Sequence, residues 1–304
     1  MKKTFKTLLR IFCFILAVVY LLLMFIGCGK SGEGQREGKL KVVATIFPAY
    51  DFCREIAADK AEIIMLLSPG QEAHSFDPTP GDIKAMQSCD VFVLNGGEGE
   101  SWADKLTGEL KCKIVKMTEC AENVANGEGE ADEHIWLDPL KVCKIAEAIN
   151  KAFCEADPEN AEVYEENTKK FTDRLTELDL RFQKVVGEAK KDTLVFADRF
   201  PAAYFADRYG LNYLAAFPGC EASSEASPRV MAELIERVQR DKISCVFIIE
   251  LSAGAIAEAV REQTGAKILT FESCQSLTLK DFENGESYLS LMERNLETVK
   301  EALE

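Results

Sequence analysis

The chain has 304 residues and 47% apolar content, enough to give each of two lobes its own core and too much for one small domain. Its formal net charge of -15, from 51 acidic against 36 basic residues, excludes the lysine- and arginine-rich surface that a nucleic-acid partner requires. An acidic surface serves solubility first, and it is compatible with a protein that collects cations.

Residues 1–28 read as a targeting segment. Lys2, Lys3, Lys6 and Arg10 precede a continuous apolar run from Ile11 to Gly27 that ends at Cys28, a basic region followed by a hydrophobic region as in a secretory signal. Phe25-Ile26-Gly27-Cys28 resembles the bacterial lipobox, with Phe25 where leucine is usual. That resemblance implies lipidation of Cys28 and a place on the outer face of the cell membrane. Residues 29–39 are too polar and too rich in glycine to bury anything and read as a flexible tether.

The folded part is expected from Leu40. Strands fit Leu40 to Phe47, Ile63 to Leu67, Val91 to Asn95 and Lys113 to Lys116, separated by helices at Tyr50 to Asp59, Gly81 to Ser88 and Trp102 to Leu110. Alternation of this kind predicts a mostly parallel sheet with flanking helices over residues 40–156. Asp157-Pro158 then supplies a helix start, and neither proline nor glycine recurs until Gly187. One connecting helix over 157–190 would extend about 45 Å. Residues 191–304 repeat the α/β pattern. The strands are at Thr193 to Ala197, Asn212 to Ala216, Cys245 to Ile249 and Lys267 to Thr270, and the helices at Ala202 to Tyr209, Pro228 to Arg240, Ala253 to Thr264 and Tyr288 to Leu303. The expected fold is two similar α/β lobes joined by one long helix, with a ligand cleft between them.

The chain has only two histidines. His74 lies in a proline-stiffened loop after a strand, the place where open α/β sheets bind ligands, and His134 lies between an acidic loop and a helix start. Neutral imidazole offers a lone pair to a transition metal near pH 7. Of the 11 cysteines, nine remain once Cys13 and Cys28 are set aside with the targeting segment. Nine cannot all pair, and none forms a C-x-x-C motif.

Several segments together resemble the zinc/manganese-specific solute-binding lipoproteins of bacterial ABC importers. They are Val42 to Asp51, Gly70 to Pro80, Asn95 to Trp102, His134 to Pro139 and Tyr204 to Leu211, and they occur in family order. The resemblance implies capture of Zn2+ or Mn2+ as cargo by about four side chains in the interlobe cleft, with no organic cofactor. It carries His74 and His134 over as the first-lobe ligands and Glu272, in Phe271-Glu272-Ser273, as a carboxylate ligand. At the remaining position Arg199 stands where the family has His or Glu. A guanidinium offers no acceptor, so Asp198 is the expected replacement, with Glu221, Glu225, Glu250 or water as alternatives. The implied partners are a permease and an ATPase in separate chains, reached by a membrane-anchored monomer.

The acidic stretch from Glu122 to Glu133 reads either as a cation collector beside His134 or as a solvated loop. An anionic ligand held by Arg199 and a metal-binding adhesin without transport are the competing roles. A metal-assisted hydrolase with Glu72 or Glu133 as base has little support, because neither H-E-x-x-H nor G-x-S-x-G occurs.

Overall fold

The computed structural model describes residues 38–71, 76–125, 129, 131–217 and 227–304. The targeting segment with Cys28, His74 with Glu72, and Glu221 and Glu225 lie outside the described residues. Residues Lys39–Glu304 form one compact unit. Among the described residues no helix is long and apolar enough to cross a membrane.

The first lobe runs β1 (Leu40–Ala44), α1 (Phe47–Ala57), β2 (Ala61–Met65), α2 (Pro80–Ser88), β3 (Val91–Leu94), α3 (Ser101–Thr107) and β4 (Lys113–Lys116). Its four strands are all parallel, in the order β2-β1-β3-β4. The β1 and β3 runs Leu-Lys-Val-Val-Ala and Val-Phe-Val-Leu are nearly all apolar because both faces of a parallel sheet are covered. Thr79 and Asp82 close a reciprocal cap on α2, and Pro80 sits in its first turn, where no amide is needed.

Two helices follow, α4 (Pro139–Ala156) and α5 (Ala161–Gly187). Asp138 caps α4 by accepting the Leu140 amide at 2.9 Å. The long helix begins later than Asp157-Pro158 suggests, because residues 158–160 form a separate turn. Asp157 Oδ2 fixes that turn by accepting from Asn160 Nδ2 at 2.8 Å and from the Tyr164 hydroxyl at 2.7 Å. The 27 residues of α5 then extend about 40 Å.

The second lobe contains β5 (Thr193–Arg199), α6 (Ala203–Tyr209), β6 (Asn212–Phe217), α7 (Pro228–Arg240), β7 (Cys245–Ile249), α8 (Ala255–Thr264), β8 (Lys267–Phe271), α9 (Leu279–Glu283) and α10 (Tyr288–Leu303). Its strands are parallel in the order β6-β5-β7-β8, the arrangement of the first lobe repeated. In each sheet the chain reverses its direction of strand addition beside the first strand. The carboxyl ends of β1/β3 and of β5/β7 are therefore the topological switch points where α/β sheets bind ligands.

The lobes share one core. Phe171, Leu175, Leu178 and Phe182 on one face of α5 belong to the same buried cluster as Phe52 and Ile145 of the first lobe and Phe205 and Met292 of the second. Phe52 meets Phe171 at 5.7 Å between ring centroids and Tyr288 at 5.0 Å, while Phe182 meets Phe205 at 5.0 Å. A continuous apolar core under a rigid helix resists large hinge opening.

Candidate functional site

Just past the strand ends of the first lobe lies a partly open cavity of ≈ 20 Å³, about the space one water-sized group needs. Thr45 follows β1, Asn95 follows β3, and Glu133 precedes His134; all three line the cavity with Glu100, Phe76 and Trp102. The second lobe contributes Gln275.

Local sequence explains the first-lobe wall. Asn95-Gly96-Gly97 leaves β3 with both glycines at positive φ, a conformation that costs glycine little. A Cβ on Gly97 would collide with the Glu133 side chain, so glycine also permits that approach. The turn aims amides inward. Gly96 donates to Glu100 Oε2 at 2.8 Å, Gly99 donates to Glu133 Oε1 at 2.9 Å, and Asn95 Nδ2 donates to the Glu133 carbonyl at 3.0 Å. Asn95 Oδ1 and Glu100 Oε1 are buried and have no hydrogen-bond partner among the described residues. Burial pushes the Glu100 carboxyl up to about 7.

His134 is buried, and so is Asp132. Asp132 Oδ1 accepts the His134 backbone amide at 2.8 Å and lies 3.0 Å from His134 Nδ1. A carboxylate there holds the proton on Nδ1 and leaves Nε2 as the ring atom suited to a cation. The Trp136 ring stands against the imidazole at 5.2 Å between centroids, and its indole donates to the Ser273 carbonyl of the second lobe at 2.7 Å. His134 is thereby fixed beside the loop that carries Gln275. On the other side, Gly70 donates to the Leu277 carbonyl at 2.8 Å, and Phe76 packs on Trp102 at 5.6 Å. Gly70 and Phe76 flank the segment of His74, which itself lies outside the described residues.

The second-lobe residues singled out in the sequence are placed differently from one another. Asp198 is buried at the end of β5, where Oδ1 accepts the Arg199 amide at 2.8 Å and Oδ2 accepts the Ile249 amide at 3.3 Å. Oδ2 thus ties β5 to β7, while Oδ1 closes a local bond at the end of β5. Arg199 Nε lies 3.9 Å from Asp198 Oδ1. The Glu272 carboxylate turns toward α10, 3.5 Å from Arg294 Nη1, and its backbone is clasped by Asn295. Burial pushes its pKa up against the pull of Arg294. Glu250 accepts the Ser273 amide at 2.6 Å and the Ser273 hydroxyl, and burial pushes it up to about 7. Among the described residues no three His, Cys, Asp or Glu side chains are grouped to hold a metal ion.

The sequence reading placed Asp132 only in the acidic stretch beside His134, without the bond between them, and it missed Gln275. The two-residue step from Asp132 to His134 is an Asx-turn spacing that could have signalled that bond. Gln275 lines the cavity just after Cys274, whose φ of 60° is unusual for a residue with a side chain. Leu251, just after Glu250, has φ 61°. Two of the four non-glycine residues at positive φ among the described residues thus lie in these two loops, and Ala58 and Lys242 lie elsewhere.

Paired parallel-sheet lobes, a shared spanning helix and a buried histidine at the strand-end cleft define a binding protein of the solute-capturing class. The model of the zinc-uptake complex component A periplasmic family matches residues 42–302, and the chain belongs to that family. Its relatives include the zinc-binding lipoprotein AdcA of Streptococcus pneumoniae, 30% identical over 92% of this chain; the chain spans 58% of that relative's length. The high-affinity zinc uptake system protein ZnuA of Bacillus subtilis is 27% identical over 95% of this chain and 96% of its own. Among solved structures, the Zn(II)-bound ZnuA-like domain of S. pneumoniae AdcA superposes with a TM-score of 0.77 at 30% identity, covering 88% of this chain and 99% of that domain. The metal-dependent lipoprotein YcdH of B. subtilis gives 0.78 at 27% identity, covering 88% of this chain and 100% of that one.

Proposed function

We propose that this chain is the extracytoplasmic solute-binding subunit of an ABC importer. It captures one zinc ion in the interlobe cleft and delivers it, chemically unchanged, to a permease driven by a separate ATPase. The observation that carries the reading is His134, buried at the switch-point cleft with Asp132 on its Nδ1. The zinc-binding names of the relatives support the choice of cargo. Residues 1–28 act as the signal segment, lipidated Cys28 as the anchor and residues 29–39 as the tether, and the chain works as a monomer.

In this reading His74 and His134 supply nitrogen donors, a set suited to zinc ahead of manganese. Gln275, which lines the cavity with Glu133, offers a carboxamide oxygen. Asp198 and Glu272 serve only if they leave the amides and the guanidinium that hold them. Zinc that displaces protons from two imidazoles binds less tightly as pH falls through about 6.5.

The test is elemental analysis of protein purified without chelator, followed by thermal melting with added zinc or manganese. Near-stoichiometric zinc and a stabilisation that grows with zinc concentration are expected, because a ligand bound to the folded state alone raises its stability. No metal and no stabilisation by either ion would overturn the reading.

A further inference from the structure

Cys89 and Cys112 lie away from the cleft and take no part in the proposed capture. Cys89 caps the carboxyl end of α2, and Cys112 immediately precedes β4. The parallel register sets Val91 beside Lys113, and the Lys113 amide donates to the Asp90 carbonyl at 2.9 Å. The two cysteines are thus brought side by side where β3 and β4 begin. Both are half-buried and pack on one apolar cluster with Met86 and Phe92. The Cys89 thiol donates to the Met86 carbonyl at 3.1 Å, and the neighbouring thiols act on each other, lowering the Cys112 pKa and raising that of Cys89. Cys120, Cys143 and Cys154 also direct their thiols at backbone carbonyls, but no second cysteine shifts their pKa, and Cys53, Cys245 and Cys274 are buried in the core.

We propose that Cys89 and Cys112 are a disulfide-forming pair, oxidised by a small-molecule or protein disulfide to a covalent brace between the end of α2 and the start of β4. The Cys112 thiolate attacks one sulfur of the oxidant and expels the other as a thiolate. The Cys89 sulfur, losing its proton, then attacks Cys112 and expels the second oxidant sulfur. One S–S bond is made, two protons leave the protein, and its two electrons reduce the oxidant to two thiols. The closed loop contains β3, α3 and the Asn95 to Glu100 turn that forms one wall of the cleft cavity. The bond therefore restrains the cavity wall without adding a group to it. Because the pair lies outside the cleft, its chemistry does not depend on which ion the cleft takes.

The experiment exposes the full chain, purified fully reduced, to oxidised glutathione at a temperature well below melting. Proteolysis without reduction and mass spectrometry then identify the linked peptides. The expected product joins the Cys89 and Cys112 peptides with loss of two hydrogens and melts about 5 °C higher than the reduced protein. Cys112→Ser abolishes both changes, and Cys143→Ser leaves both intact. Recovery of Cys89 and Cys112 as free thiols, or as separate glutathione adducts on folded protein, would overturn the proposal. A cross-link made mainly between other cysteines would do the same.

Discussion

Asp132 Oδ1 holds both ends of His134, accepting its backbone amide at 2.8 Å and lying 3.0 Å from its ring Nδ1. One carboxylate oxygen therefore sets the backbone position and the ring orientation together. Replacing it by Asp132→Ala leaves the imidazole free to turn and to change tautomer. Zinc affinity at pH 7 is expected to fall about 10–100-fold while the protein stays folded. Competition against a chromophoric chelator reads the affinity, and circular dichroism reads the fold. Unchanged affinity would remove Asp132 from the site.

Glu100 predicts a pH dependence of stability. Its carboxyl is pushed from the ordinary 4.5 up to about 7 by burial, so between those values the folded state keeps a proton that the unfolded state has lost. Stability contributed by that proton is full below about 4.5 and is lost as pH rises to about 7, above which the penalty is constant. Glu100→Gln keeps the shape and removes the titration. The variant should be more stable at pH 8, by on the order of 1–3 kcal/mol, with a flatter profile from pH 5 to 7. Urea unfolding across that range checks it, and a steeper profile in the variant would contradict the assignment.

How far the sequence foretold the molecule differs by element. Val91 to Lys116 was legible almost to the residue, because an apolar run, a Gly-Gly turn and a second short strand follow local rules. The long helix was legible in its course but not in its start, since the Asp157 side chain spends itself on Asn160 and Tyr164. Of the two histidines that the sequence singles out, His134 is found buried beside Asp132, and His74 lies outside the described residues. Local pattern does not separate Glu272 from Gln275, three residues apart on either side of Cys274, whose positive φ no glycine announces. Which of them enters the cavity depends on Arg294 and Asn295, more than 15 residues further along the chain, and on the Glu250–Ser273 bonds. Such choices are made by tertiary partners, and local pattern does not record them.

Tyr288 ties the lobes at the cleft floor. Its hydroxyl donates to the Trp136 carbonyl at 2.6 Å and its amide donates to Asp51 Oδ2 at 2.7 Å, both in fully buried surroundings. Tyr288→Phe removes the hydroxyl alone and leaves a buried carbonyl unpaired. The expected cost is about 1–3 kcal/mol of unfolding free energy. Because the same bond positions Trp136 against His134, zinc release should also quicken in a stopped-flow chelator assay. A variant equally stable and equally slow to release zinc would show that the aromatic packing, and not this bond, sets the lobe contact.

Arg208 carries the connection between the long helix and the second lobe. Its guanidinium grips Asp179 of α5 with two bonds, Nε to Oδ1 at 2.9 Å and Nη2 to Oδ2 at 2.7 Å, and lies 3.8 Å from Asp138 at the start of α4. Asp179 is only 2% exposed and also accepts from the Tyr209 hydroxyl at 3.1 Å and Gln183 Nε2 at 2.7 Å. Arg208→Ala strands that carboxylate in a buried site without a counter-charge, so the cost is that of an uncompensated charge and is expected near 3–5 kcal/mol. Arg208→Lys keeps the charge but not the forked geometry and should recover part of the loss. Pairing Arg208→Ala with Asp179→Asn should be less destabilising than the arginine change alone, because the unpaired charge is gone. Denaturant unfolding of the three variants decides the point. A double variant no more stable than Arg208→Ala would mean that lost packing of the arginine stem, rather than the stranded carboxylate, accounts for the effect.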